Sequence, residues 1–254
     1  MKIIFLGSGN LATRLSLEMH RKGMRIGQVY SYTPENAERL AAQLGCPWTT
    51  VPEEVDTDAD LYVFSLKDTV LADVIARIRP NNGLWVHTAG SMPMDVFRGY
   101  TADYGVMYPM QTFSKARLVD FSVIPFFLEA NTPENAGKLQ QIAGTLSGNV
   151  RFLSSDKRKS LHLAAVFACN FTNHIYALAV KILQGQEIPA DVLLPLIDET
   201  AAKVHTMTPA EAQTGPAIRY DENVINKHLA MLDDPDMRSV YQLISQSIHK
   251  EAQI

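Results

Sequence analysis

The first strand-like segment of the chain runs directly into a glycine-rich turn, and this junction constrains the fold more than any other feature. Lys2 to Leu6 is a short apolar run with β-branched residues, which predicts a buried strand. The turn Gly7-Ser8-Gly9 follows, and apolar residues then recur at helical spacing. A strand, a glycine-rich turn and a helix in this order place unpaired N–H groups around an anion. The segment therefore fits a dinucleotide-binding fingerprint, with the small Ala12 where helix and strand meet.

Turns of this kind also close strand–helix units that bind no ligand, so the motif alone leaves both interpretations open. Its place after the first strand of a long α/β pattern favours nucleotide binding. The residues expected to contact the nucleotide in this turn are Gly7, Ser8, Gly9, Asn10, Leu11 and Ala12.

Strand and helix patterns alternate from the first residue to about residue 155, which predicts a mostly parallel sheet with right-handed crossovers. From Asp156 onward only helical patterns occur. We therefore expect an α/β, Rossmann-type doubly wound domain over residues 1–155 and a smaller all-α domain over 156–254. The helical pattern from Ser160 to Leu183 is apolar on most sides in its first half, which predicts burial against the first domain, a second subunit, or both.

A parallel sheet binds ligands beyond the carboxyl ends of its strands. The loops after the second, fourth and fifth predicted strands should therefore complete the nucleotide site. Their residues are Ser31, Tyr32 and Thr33, then Ser65, Leu66 and Lys67, then His87 and Thr88. A strand-end hydrogen bond is the alternative role for His87 and Thr88, and a solvated side chain is the more usual role of a lysine such as Lys67.

The end of the second predicted strand favours NADP over NAD. NAD-binding folds place an acid there to accept the ribose hydroxyls, whereas this chain has Tyr30-Ser31-Tyr32-Thr33. No carboxylate repels a 2′-phosphate at this point, and the hydroxyls of Ser31 and Thr33 could donate to it. No arginine stands there either, and a helix cap is an equally good role for Thr33.

Composition excludes several other classes. A formal charge of −4 and the lack of a basic block argue against nucleic acid as a partner. No run reaches the roughly 18 apolar residues of a membrane helix, and no signal peptide precedes the first strand. Two cysteines in unrelated contexts fit a reducing cytoplasm, and no cluster has the spacing of a metal site.

Several stretches together resemble known reductases. GSGNLA, YSYTPENAERLAAQLG, ADLYVFSLKD and WVHTAGS resemble the N-terminal domains of pyrroline-carboxylate reductase and of the deazaflavin-dependent NADP oxidoreductases. YGVMYPMQTFS, LHLAAVFACNFTNHIYAL and TGPAIRYDENVINKHL resemble a family of Rossmann-like oxidoreductases whose helical C-terminal domain has no assigned substrate. The likeness spans nearly the whole chain. It implies an NADP-binding domain followed by a helical domain that forms a homodimer.

The chain departs from the family pattern at two positions. Tyr32 replaces an arginine, which weakens the expected 2′-phosphate site, and Tyr108 replaces a histidine, so we do not expect an essential acid there. The Ser-Gly-Pro-Ala-Tyr segment of true pyrroline-carboxylate reductases is also missing, which argues against that activity.

The long helix that opens the second domain carries the candidate catalytic residues. At about 100° per residue, Lys159, His162, Asn170 and Asn173 fall on one polar stripe, and the resemblance implies that such a stripe faces the nicotinamide. His162 would donate a proton, Asn170 would orient the substrate and Lys159 would polarise its oxygen. The alternative is that these are core polar groups bonded to loop backbone.

Two functions fit this reading. The first is an NAD(P)-dependent oxidoreductase that reduces a small carbonyl or imine in a cleft between the domains. The second is an NADP-binding sensor or regulatory dimer without turnover, a reading that the substitutions at Tyr32 and Tyr108 support. A polar pocket beside the nicotinamide would indicate the enzyme, and an apolar filling there would indicate the sensor.

Overall fold

The computed structural model describes residues 1–253. Strands and helices alternate up to Phe152, and the regular elements after it are all helices. In chain order the elements are β1 Lys2–Leu6, α1 Asn10–Arg21, β2 Arg25–Tyr30, α2 Pro34–Leu44, β3 Trp48–Thr49, β4 Leu61–Phe64, α3 Asp68–Arg77, β5 Leu84–His87, β6 Tyr104–Pro109, β7 Phe126–Ala130, α4 Pro133–Leu146, β8 Val150–Phe152, α5 Ser155–Ala165, α6 Thr172–Gln184, α7 Leu194–Lys203, α8 Pro209–Ala212, α9 Glu222–Ala230 and α10 Pro235–Glu251.

All eight strands form one sheet in the order β3-β2-β1-β4-β5-β6-β7-β8. The first six are parallel, β7 is antiparallel to β6, and β8 is parallel to β7. The strand order reverses between β1 and β4, and ligands bind at the carboxyl ends of the strands beside such a switch point. The prediction of a Rossmann-type, mostly parallel sheet is confirmed.

The alternation of side chains along β1 builds one core on each face of this sheet. Ile3 and Phe5 join a cluster with Leu15 of α1, whereas Ile4 and Leu6 join a second cluster on the other face. The second cluster is rich in aromatic residues, with ring centroids of Phe64 and Trp85 5.1 Å apart. Each large apolar side chain buried this way contributes about 1.5–3 kcal/mol to folding, so both faces of the sheet stabilise it.

The chain divides into two compact units, Met1–Cys169 and Asn170–Ile254. The expected boundary near residue 155 lies one helix earlier. The first unit includes α5 because side-chain hydrogen bonds, described below, hold this helix on the sheet.

The helix pattern that begins at Ser155 departs from expectation in two respects. Val166–Phe171 is a π-helix between α5 and α6, so the run is not α-helical throughout. Within this single chain α6 has no buried residue, although its apolar composition predicts burial. By length and composition alone, the run Ser155–Gln184 is also long and apolar enough to cross a membrane, contrary to the expectation that no segment would be.

Candidate functional site

Gly7 holds the glycine-rich loop against the ends of two strands. Its φ of +125° is strained for any residue with a Cβ, and a Cβ built there would overlap the carbonyl oxygen of Ser65. The Gly7 N–H donates to the Tyr30 carbonyl oxygen at 2.7 Å. The loop therefore lies close over the carboxyl ends of β2 and β4, and only glycine fits there.

Gly9 leaves open space at the start of α1. No heavy atom lies within 4 Å of the position a Cβ would take. The backbone N–H groups of Asn10, Leu11 and Ala12 occupy the first turn of this 12-residue helix, where N–H groups have no partner within the helix. Open space against a helix N-terminus is what a phosphate group requires, so these residues fit the pyrophosphate of a dinucleotide.

Two serine hydroxyls join the loop to the end of β2. The side-chain oxygens of Ser8 and Ser31 lie 2.6 Å apart, and both residues are buried. Beyond them the Tyr32 side chain is 88% exposed. Thr33 precedes α2 but makes no side-chain capping bond, whereas Thr132 caps α4 in the identical sequence TPEN. Thr33 therefore does not fill the capping role that its sequence suggested as the alternative.

A hydrogen bond between two hydroxyl groups also joins the end of β4 to the end of β5. The Thr88 hydroxyl donates to the Ser65 hydroxyl at 3.1 Å. Leu66 packs against the aromatic cluster, and Lys67 is exposed. Ser65 and Thr88 thus stand at the carboxyl edge where the fold positions a nucleotide, while the Lys67 side chain points to solvent.

The His87 ring is fully buried and both of its nitrogens are engaged. Nδ1 accepts from the Ala89 N–H at 3.2 Å, so Nε2 carries the proton that is donated to the Pro93 carbonyl at 3.3 Å. Burial and the charge of Arg158 lower the pKa of His87 to about 3. His87 is therefore a neutral support for the 88–93 loop, and its ring is not presented at the ligand edge.

Tyr108 and His162 form a polar pair near the carboxyl end of β6. The Tyr108 hydroxyl lies 3.2 Å from Nδ1 of His162, and the two rings meet edge to face at 6.1 Å. Burial raises the pKa of the Tyr108 phenol, so this hydroxyl keeps its proton at neutral pH. A Cβ at Gly90 would come within 2.6 Å of the His162 ring, so this glycine allows the ring to lie against the loop that follows β5.

A buried ion pair anchors the start of α5. Arg158 is 1% exposed, and its Nη1 donates to a carboxylate oxygen of Glu129 on β7 at 2.6 Å. Its Nη2 donates to the Met92 carbonyl at 2.6 Å, and Ser155 donates to Glu129 through both its N–H and its hydroxyl. Because Arg158 and His162 are four residues apart, they share one face of α5, and the anchor therefore orients His162.

Of the other predicted catalytic residues, Lys159 does not join this pair. Lys159 is exposed and lies 3.4 Å from Asp156 on the surface of α5. Asn170 is exposed and falls in the second compact unit. The stripe that grouped them with His162 assumed an unbroken α-helix. A π-helix has i→i+5 bonds and more residues per turn. The spacing of about 100° per residue that aligned these side chains therefore does not apply beyond residue 165.

Sequence reasoning missed the partners of His162. The family pattern has histidine in place of Tyr108, and no local pattern links Gly90 or Arg158 to His162. An arginine on an apolar helix four residues before a histidine is a signal that could have identified Arg158. Among residues 1–253, no group of three or more histidine, cysteine or acidic residues could hold a metal ion.

The fold and the carboxyl-edge geometry define a dinucleotide-binding protein of the Rossmann class. The open cradle at Gly9, the close approach at Gly7 and the absence of an acid after β2 all fit NADP. Residues 2–86 match the family described as NADP oxidoreductase coenzyme F420-dependent. Residues 124–248 match the Domain of unknown function (DUF2520).

One solved structure supports the same assignment, and two more distant ones share the fold. The chain is 56% identical to the putative NADP oxidoreductase BF3122 from Bacteroides fragilis, over 98% of both chains and with a TM-score of 0.93. It is 23% identical to protein TM1727 from Thermotoga maritima, over 99% of this chain and 100% of that one, with a TM-score of 0.80. An imine reductase from Myxococcus stipitatus in complex with NADP⁺ shares the fold at 17% identity, over 100% and 93% of the chains, with a TM-score of 0.67.

The chain therefore belongs to the family of NADP oxidoreductases that join an F420-dependent-type NADP oxidoreductase domain to a DUF2520 domain. The predicted family and the predicted NADP cofactor are confirmed. No protein of curated function matched the sequence.

Proposed function

We propose that this NADP oxidoreductase reduces the carbonyl or imine group of a small molecule, with His162 as the proton donor and Tyr108 as its partner. The observation that carries the proposal is the 3.2 Å contact between the Tyr108 hydroxyl and His162 Nδ1. The contact lies beside the loop after β5, at the edge where the fold binds its cofactor. Imine reductases among the structures of like fold are consistent with this substrate class.

The hydrogen bond to Tyr108 determines which proton His162 can give. Because Nδ1 is engaged with the Tyr108 hydroxyl, Nε2 is the ring nitrogen left to give a proton to the substrate. As hydride adds to the carbon, the π electrons of the carbonyl or imine move to its oxygen or nitrogen, that atom takes the proton from Nε2, and solvent returns a proton to the ring. NADPH, when bound, supplies the hydride; the chain binds and orients the substrate and delivers the proton.

Gly7 to Ala12 would hold the pyrophosphate, and Ser65 and Thr88 would line the nucleotide path. Lys159 and Asn170 as groups that polarise or orient the substrate stay predictions, as does the location of the substrate in a cleft between the domains. Cytoplasmic localisation also stays a prediction.

Turnover and cofactor binding, measured separately, test the proposal. Purified protein is assayed for NADPH oxidation against panels of small carbonyls and imines, and NADPH affinity is measured by fluorescence titration. We expect His162→Ala to lower kcat by about 10²–10⁴-fold and to leave the NADPH affinity unchanged. Tyr108→Phe should lower kcat less and shift its pH profile.

His20→Ala, at an exposed site near the end of α1, is the matched control and should behave as wild type. Full turnover by His162→Ala would overturn the assignment of the proton donor. Tight NADPH binding without turnover on any panel would instead favour the sensor or regulatory protein.

We also propose that the protein is a homodimer that associates through its second compact unit, which begins at Asn170 and is called the helical unit below. The supporting observation is a set of apolar side chains in that unit that are exposed in the single chain, including Leu194, Leu196 and Leu243. Exposed apolar patches of this kind mark interaction surfaces.

A further inference from the structure

The structure places two positive charges beside the end of β2 that the sequence did not reveal. Arg39 of α2 donates from Nη2 to the Asn36 side-chain oxygen at 2.6 Å. Lys115 donates from Nζ to the same oxygen at 3.4 Å. Lys115 is 79 residues away in the chain and comes from the long loop between β6 and β7. Asn36 is in the first turn of α2, three residues after Thr33.

These two cations share a neutral acceptor in place of a carboxylate. Within the described residues, neither Arg39 nor Lys115 has a carboxylate oxygen within 4.0 Å, although eleven other ion pairs occur. Partial burial, and then the charge of Arg39, lower the pKa of Lys115. Two like charges that meet without a counter-charge repel one another, and an anion between them would turn this repulsion into attraction.

The position of the pair identifies the anion. The pyrophosphate of a dinucleotide lies at the N-terminus of the helix after β1, whereas the adenosine ribose lies beyond the end of β2. The pair meets at Asn36, in the first turn of the helix that follows this strand end and three residues after Thr33, whose hydroxyl makes no capping bond. In this chain the strand end itself carries Tyr32 and no basic residue.

We propose that Lys115 and Arg39 bind the 2′-phosphate of NADP and set the preference of this protein for NADP over NAD. Lys115 supplies a point charge and Arg39 a planar group that can bind two phosphate oxygens. Because Lys115 belongs to the loop between β6 and β7, phosphate binding also fixes that loop against α2. The inference depends on the NADP cofactor and not on the substrate proposed above, so the two can fail separately.

Binding titrations test this without any turnover. NADPH and NADH are titrated by fluorescence into wild-type protein, Lys115→Gln, Arg39→Gln and the double variant. We expect each single variant to weaken NADPH binding about 10-fold and the double variant about 100-fold, as for the loss of charge-assisted hydrogen bonds. NADH binding should change less than about twofold, and the preference for NADPH should weaken in high salt.

Arg117→Gln is the matched control, because Arg117 is an exposed cation two residues from Lys115 on the same loop. It should retain the NADPH affinity of the wild type. Competition by adenosine 2′,5′-bisphosphate against adenosine 5′-monophosphate isolates the 2′-phosphate, and the advantage of the bisphosphate should disappear in the double variant.

Three outcomes would overturn the proposal. One is an unchanged NADPH affinity in the double variant, and another is an equal loss of NADPH and NADH affinity. The third is a loss in Arg117→Gln as large as that in Lys115→Gln, which would indicate a general charge effect. Both substituted side chains are exposed, so thermal unfolding should be unaffected and serves as the check on folding.

Discussion

At the scale of single residues, the buried His87 couples stability to pH. Its folded-state pKa is about 3, below the ordinary value of about 6.5, so the unfolded chain binds the extra proton between these values. Stability from this residue is therefore complete above pH 6.5 and is lost as the pH falls. We expect the free energy of unfolding to drop by about 2 kcal/mol from pH 7.5 to 5, measured by denaturant titration.

His87→Gln keeps an acceptor and a donor but does not titrate, so it should flatten this pH dependence. His20→Gln, at an exposed histidine, should leave it as in wild type. An equally steep pH dependence in His87→Gln would refute the explanation. Observation of the His87 ring by NMR in the wild-type protein provides a measurement that needs no substitution.

Gly9 and Gly137 allow a paired test of the phosphate cradle. Both have open space where a Cβ would be and neither has a positive φ, but Gly9 begins α1 and Gly137 is inside α4. Gly137→Ala should stabilise the protein by about 0.5–1 kcal/mol without affecting NADPH. Gly9→Ala should weaken NADPH binding, measured by titration, because the methyl group occupies phosphate space. Equal NADPH affinities in the two variants would contradict the assignment of the cradle.

The conformation of the glycine-rich loop was predictable because the motif is local. Gly7, Gly9 and Ala12 act through backbone conformation and size, which their neighbours in sequence indicate. Lys115 and Arg39 meet only because a loop after β6 reaches α2, and no local pattern contains that information. Tyr108 and His162 are 54 residues apart in the chain, so no local pattern predicts their contact either.

At the scale of elements, the Arg158–Glu129 pair holds α5 on the sheet. Removal of one partner from a buried pair leaves the other charge uncompensated. We expect Arg158→Met to lower the free energy of unfolding by about 3–5 kcal/mol. Lys138→Met, which breaks an exposed pair with Glu134 on α4, should leave the free energy of unfolding nearly unchanged, because solvent screens such a pair.

Denaturant unfolding of both variants measures the difference. A similar small cost for the two would show that the Arg158 pair is not the anchor. Where Arg158→Met does not fold, Glu129→Gln provides the test, because it removes the charge and keeps the hydrogen-bonding shape.

Element identities followed from the sequence more closely than element contacts did. Pro133–Leu146 is a helix, as the capping threonine before it, the proline at its start and the helical spacing of its apolar residues together indicate in the sequence. The π-helix at Val166–Phe171 was not predictable, because it preserves the apolar composition of an α-helix and changes only the number of residues per turn. The 100° spacing that places Lys159, His162, Asn170 and Asn173 on one stripe therefore does not apply across this segment.

At the scale of the whole molecule, the exposed apolar side chains of the helical unit predict an association. Leu196 is 63% exposed and Leu243 is 69% exposed, and a negative charge at such a site would be costly to bury. We expect wild-type protein to run as a dimer in light scattering after size exclusion, and Leu243→Glu to shift it toward monomer. Gln242→Glu adds the same charge to the adjacent exposed residue and is the control.

A monomeric wild-type protein at micromolar concentration would contradict the dimer. The apolar residues of the run Ser155–Gln184 would then have to be shielded from water in another way. A membrane is the candidate that the length and composition of this run allow. Flotation with lipid vesicles would distinguish the two, since a dimer that buries this helix leaves no apolar face for lipid.

The reversed direction of β7 and β8 determines the direction in which α5 runs along the sheet. In an ordinary parallel crossover the helix begins at the carboxyl edge and runs away from it. Here Ser155 bonds to Glu129 part-way along β7, and α5 then runs back until His162 reaches Tyr108. Each residue between these contacts raises the histidine by about 1.5 Å. Because each residue also turns the helix by about 100°, only insertions or deletions of whole turns would move the proposed proton donor along the helix, by about 5.4 Å per turn, and keep it on the face toward Tyr108 while every strand stays in place.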